Sequence, residues 1–259
     1  MADLRNYQAR VATAGARADA AIDEGLRAYM IRVYNLMALG LAITGVAALG
    51  TLWLATTNDP AAAVATLGNG KMLTALGAAI YGSPLRWVVM LAPLALVFFL
   101  SFRIEKMSIS AAQTTFWAYA ALVGISLSSV FLVFTAASVV QTFFITATAF
   151  LALSLYGYTT KRDLSGFGSF LIMGVFGLIL AMLVNIFLQS SALQFAISAI
   201  GVLVFAGLTA YDTQQIKEMY YEGDGALVAG RKAIMGALRL YLDFINMFMF
   251  LLQFLGNRE

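Results

Sequence analysis

Beyond a polar, Ala-rich stretch from Met1 to Arg32, apolar residues gather into seven long runs. These are Val33 to Ala55, Trp87 to Phe102, Thr114 to Phe134, Val139 to Tyr158, Phe167 to Leu188, Ala192 to Tyr211 and Ile234 to Leu255. A helix needs about 20 apolar residues to cross the ~30 Å hydrocarbon core of a bilayer, so the pattern predicts an all-α integral membrane protein with seven transmembrane helices. The connections are short and carry the charges and turn residues, such as Lys161-Arg162-Asp163-Leu164-Ser165-Gly166. Two are longer. Thr56 to Arg86 has turn signals at Thr57-Asn58-Asp59-Pro60 and Gly82-Ser83-Pro84 around an apolar stretch, Leu73 to Ile80, too short to span. Gln214 to Lys232 reads as a polar loop between the sixth and seventh helices.

Residues 1–32 are expected to form a polar cytoplasmic tail and residues 33–259 the transmembrane domain. The first apolar run is too long for a secretory core segment and lacks a plausible cleavage site, so it is expected to stay as the first helix.

Composition sharpens this picture. Of the 259 residues 61% are hydrophobic and 11% charged, against roughly 25% charged in soluble domains. The sequence holds no Cys and no His, which removes disulfides, thiolate nucleophiles, Cys/His metal centres and Ser-His-Asp catalysis together. Any proton chemistry falls to carboxylates, Lys or Tyr. The net charge of +3 is spread over loops rather than gathered on one face, so nucleic acid is not an expected partner; the bilayer is.

The basic residues also give an orientation. Twelve fall on one side: Arg5, Arg10, Arg17, Arg27 and Arg32 in the tail, Arg103 and Lys106, Lys161 and Arg162, and Lys217, Arg231 and Lys232. Lys71, Arg86 and Arg258 fall on the other. By the positive-inside rule the N-terminus is expected in the cytoplasm and, after seven spans, the C-terminus on the periplasmic side.

An ionisable side chain within hydrocarbon costs at least a few kcal/mol, so the ones present there are candidates for function. Asp243, in Leu240-Tyr241-Leu242-Asp243-Phe244-Ile245-Asn246, lies eleven residues past Lys232 and so roughly 16 Å into the bilayer. Asp212 closes the sixth run, about 7 Å from Lys217 by the same helical rise. If the sixth and seventh helices pack together, the two carboxyls can share a proton. Asp212 also reads as an interfacial aspartate satisfying a helix end. Arg103 and Arg239 are the candidate counter-ions: Arg103 reads equally as a snorkelling membrane-edge arginine, and Arg239, at i, i+4 from Asp243, as snorkelling or locally paired. Asn185 and Asn246 read as polar contacts between helices, and Gly124, Ser126, Ser128 and Ser129 as small residues permitting close packing.

Three segments together carry a resemblance: Gly157-Tyr158-Thr159-Thr160-Lys161-Arg162-Asp163-Leu164-Ser165, Gly207-Leu208-Thr209-Ala210-Tyr211-Asp212-Thr213-Gln214 and Leu240-Tyr241-Leu242-Asp243-Phe244-Ile245-Asn246. With them the chain resembles the Bax inhibitor-1, or transmembrane Bax inhibitor motif, family, in its bacterial inner-membrane branch. The resemblance implies a seven-helix fold with the last helix central. It also implies a pH-sensitive calcium leak governed by a hydrogen-bonded aspartate pair, which falls on Asp212 and Asp243. An arginine that latches the closed state in the family falls on Arg103. Calcium is then the permeant or transiently bound ion, with Asp212 and Asp243 as its carboxylate ligands and no tightly bound cofactor.

Three other readings compete. Tyr211-Asp212 matches half of the intramembrane aspartyl protease signature, but the Gly-x-Gly-Asp half is missing around Asp243, so the chain is not expected to be an enzyme. A proton-coupled transporter would use the same carboxylates, without the internal repeat or broken helices that would support it. The third is an interaction protein regulating a membrane protease or another membrane complex.

Overall fold

The computed structural model describes residues 2–258 and, among these, the side chains of residues 24–258. The long helices are α1 (Ala2–Ala55), α3 (Leu85–Arg103), α4 (Ile109–Leu127), α5 (Ala136–Thr159), α6 (Ser165–Leu188), α7 (Ser191–Glu218) and α8 (Ala226–Leu255), with a one-turn α2 (Ala75–Gly77) between α1 and α3. Among the described residues, seven helical segments are long and apolar enough to cross a membrane, the first of them Glu24–Ala55 of α1. The chain is an all-α, multi-pass membrane protein.

The last helix sits at the centre. Two thirds of its apolar window is buried (67%), whereas the windows of α3 and α6 are 11% buried and present their sides to lipid. Helix α8 packs on α7, α1, α5 and α4; α3 packs chiefly on α4, and α6 on α7. The expected ring is therefore two-layered, with four helices against the centre and two outside them. Tyr241 anchors this centre: it is fully buried, edge-on to Phe116 and Tyr119 at 5.7 Å each, and 2.6 Å from the Thr44 hydroxyl of α1. With lipid tails as apolar as the core, such close packing and interhelical hydrogen bonds hold the bundle together. Gly124 shows how: a Cβ there would be driven into the Thr44 carbonyl and the Ala47 methyl, so glycine lets α4 lie directly on α1.

The structure corrects two boundaries. Helix α7 continues to Glu218 and α8 begins at Ala226, so the polar loop expected from Gln214 to Lys232 shrinks to 219–225. Gln214, Lys217 and Lys232 bond to neighbouring helix ends. The Gln214 amide donates to the Arg162 carbonyl (2.8 Å) and its oxygen accepts from the Leu164 N–H (2.8 Å) at the start of α6. Lys217 donates to the Tyr158 carbonyl at the end of α5, and Lys232 bridges the Met219 carbonyl and Asp224. The second correction lies between α1 and α3. Residues 56–57, 65–66 and 72–73 form a small antiparallel sheet, β1, β2 and β3, in the order β1-β3-β2, tied to the other loop at this end by Asn69 and Lys71 donating to the carbonyls of Leu132 and Phe131.

Helix α6 turns into α7 through Gln189, the positive-φ non-glycine residue among those described (φ 49°). Asn185 supports the turn, its carbonyl accepting from Gln189 N–H and its side-chain oxygen from Ser190 N–H. A left-handed backbone costs a side chain-bearing residue roughly 1–2 kcal/mol, so Gln189→Gly is expected to raise thermal stability in detergent by about 1 kcal/mol.

Candidate functional site

The antiparallel pairing of α7 and α8 brings Asp212 and Asp243 together. Asp243 lies near the middle of α8 with 4% of its surface exposed, and the Asp212 side chain, 16% exposed, faces it within hydrogen-bonding reach. Two carboxyls can hydrogen-bond only if one of them carries a proton. The geometry bears on this directly, because the buried Asp243 Oδ2 has no hydrogen-bond partner among the described residues. Leaving a buried carboxylate oxygen without a donor costs several kcal/mol, and one shared proton removes that cost while cancelling one of two adjacent charges.

The extension of α7 also disposes of the helix-end reading of Asp212. It stands well before Glu218, with five consecutive buried or half-buried residues after it, so its carboxyl caps nothing. Arg239, one turn before Asp243 on α8, reaches across to Asp212: its Nη1 is 4.0 Å from Asp212 Oδ1, the outer limit of an ion pair, and its charge acts on both carboxyls. The guanidinium is 45% exposed, so it neutralises the pair only partly. Arg103 is placed differently. It ends α3 as an exposed residue with no ion pair among those described.

Next to Asp212 on α7, Thr213 belongs to a hydroxyl chain that sequence reasoning did not single out. Tyr34 of α1 bonds Ser154 of α5 (2.7 Å), Ser154 bonds Thr213 of α7 (2.9 Å), and Thr213 donates to the Thr209 carbonyl one turn back. The i, i+4 spacing of Thr209 and Thr213 on α7 was its visible trace. Among the described residues there is no cluster of three or more Asp, Glu, His or Cys. The pair thus supplies two carboxylates to a cation, and six-fold or higher oxygen coordination would need backbone carbonyls or water.

At the same end of the molecule, outside the spans, Asp163 accepts from the Ser165 N–H at 2.8 Å, and that bond holds its carboxyl below the ordinary carboxylate range. Arg231 donates from Nε and Nη2 to the Met107 carbonyl, fastening the start of α8 to the α3–α4 turn. Turns 104–108, 160–164 and 219–225 are thereby gathered at one end, the end that carries the excess of Lys and Arg.

Fold and site together define a seven-span membrane protein whose central helix carries a buried carboxyl paired with a second on its neighbour. The family described as inhibitor of apoptosis-promoting Bax1 matches residues 26–259, and the chain belongs to that family. It is 46% identical to the inner membrane protein YbhL of Escherichia coli, over 91% of this chain and 94% of that one. It is also 48% identical to an uncharacterized protein of Rickettsia prowazekii over 92% of both chains, and 34% identical to an uncharacterized membrane protein of Streptococcus pyogenes over 92% and 96%.

Proposed function

We propose that this protein is a pH-sensitive calcium leak in a bacterial inner membrane, gated by the Asp212–Asp243 pair. The observation that carries the reading is the facing of these carboxyls across the α7–α8 contact, one of them with a buried oxygen that lacks a donor. In acid a shared proton bonds α7 to α8 and the path is closed. In alkali both carboxylates are charged, Arg239 offsets only part of their repulsion, the contact loosens, and the site presents two hard oxygen ligands to Ca²⁺. Acid closes and alkali opens. The proposed topology, with the N-terminus in the cytoplasm and the C-terminus in the periplasm, follows the basic end assembled by the α3–α4, α5–α6 and α7–α8 turns.

The test is Ca²⁺ uptake by liposomes holding the purified protein. A leak several-fold faster at pH 8 than at pH 6 is expected. A folded protein that passes no Ca²⁺ at either pH would refute the leak and leave regulation of a membrane protease or other membrane complex as the reading to pursue.

A further inference from the structure

Helices α1 and α5 both pack on α8 but stand apart from each other, leaving a seam along the bundle that opens to the bilayer. Near the basic end the seam holds a cavity of about 420 Å³, walled on α1 by Arg27, Ile31 and Tyr34 and on α5 by Leu151, Leu155 and Tyr158. Its lip is open sideways, since Ile31, Leu151 and Leu155 are 49%, 65% and 63% exposed. Its floor is closed by the Tyr34–Ser154 hydrogen bond. Farther along the same two helices a second cavity of about 550 Å³ lies between Leu41 and Ala38 of α1 and Val140 and Phe144 of α5, with Phe244 of α8 beneath.

The geometry points to a phospholipid site in this seam, with the lipid phosphate on Arg27 and one acyl chain laid between α1 and α5, selective for a net-anionic headgroup. Three features select this occupant. The walls below the mouth are apolar and face hydrocarbon, so a chain rather than water fills them. Among the described residues the one formal charge in the lining is cationic and sits at the mouth; Lys217, stacked 5.7 Å from the Tyr158 ring, adds positive potential beside it. The length also fits: Arg27 to Ala38 is eleven residues, about 16 Å of helix and so about the depth of one leaflet, which joins the mouth to the second cavity. Because surrounding lipid tails are as apolar as the walls, selectivity comes from the headgroup and not from the chain. The site is separate from the carboxyl pair and does not depend on the calcium reading.

Native mass spectrometry of the purified protein, titrated with phosphatidylglycerol or phosphatidylcholine of identical chains, tests the site. The anionic lipid is expected to bind about fivefold more tightly, the effect of roughly one basic side chain near the headgroups. Arg27→Gln should bring the two lipids level, whereas Arg32→Gln, at an exposed arginine outside the cavity, should leave the preference intact. Leu155→Trp, which fills the cavity from its open side, should weaken both. Equal binding of the two lipids to the wild type would overturn the proposal, as would equal effects of Arg27→Gln and Arg32→Gln or unaltered binding to the Trp variant.

Discussion

Asp243→Asn is expected to abolish the pH dependence of the leak while raising the stability of the protein in alkali. Asparagine keeps the shape of the side chain and can still hydrogen-bond Asp212, but it never carries charge. The repulsion proposed to separate α7 from α8 would be lost, and so would one of the two proposed carboxylate ligands. The wild-type leak is expected to rise several-fold between pH 6 and pH 8 as the shared proton leaves, and the variant should stay slow and flat across the range. The stability change has the opposite sign for the same reason. An uncompensated charge at the middle of a bundle costs at least a few kcal/mol, so Asp243→Asn should unfold at a higher temperature than wild type at pH 8 and at a similar one at pH 6. Asp212→Asn should flatten the leak too, with a smaller stability gain, because Asp212 is less buried and has Arg239 beside it. Liposome flux and thermal unfolding in detergent measure the two effects; a variant that still responds to pH would remove the pair from the gate.

The second large effect is structural. Tyr241→Ala removes a fully buried ring from the helix that the others surround, leaving Phe116 and Tyr119 facing a void and Thr44 without the phenol. Large-to-small changes of this kind cost about 3–5 kcal/mol, which for a chain of this size lowers the unfolding temperature by about 10 °C or more. Tyr241→Phe separates ring from hydroxyl. The Thr44 hydroxyl still donates to a carbonyl, either that of Gly40 or that of Ala120, and only the bond between the two hydroxyls is lost, so the cost should be about 1 kcal/mol. If the two substitutions destabilise equally, the hydroxyl pair rather than the ring holds α8 to α1.

Why these two positions matter was visible in the sequence to different degrees. Asp243 stood out because a carboxylate in the middle of an apolar run has no inexpensive explanation, and the structure places it facing Asp212 as helix pairing required. The spans were legible because each is long and nearly free of charge. The ends of α7 and α8 were not. Gln214, Lys217 and Lys232 look like loop residues by polarity, yet each is bonded to the end of another helix, a tertiary arrangement that leaves no periodic signal. Arg103 shows the converse: a basic residue at the edge of a span looks the same whether it pairs inward or points outward, and here it is exposed. Tyr241 was one aromatic among many, singled out only when α1 and α4 are seen to converge on it.

The most direct test of the account is an infrared titration of the reconstituted protein. The proposed gate requires a protonated carboxyl, shared by Asp212 and Asp243, that disappears as the leak rises. The account predicts a carboxylic-acid carbonyl band in acid that is lost in alkali with the same midpoint as Ca²⁺ flux, and that is missing from the Asp212→Asn, Asp243→Asn double variant. A band that persists in the double variant, or a leak that rises while the band stays unchanged, would contradict it.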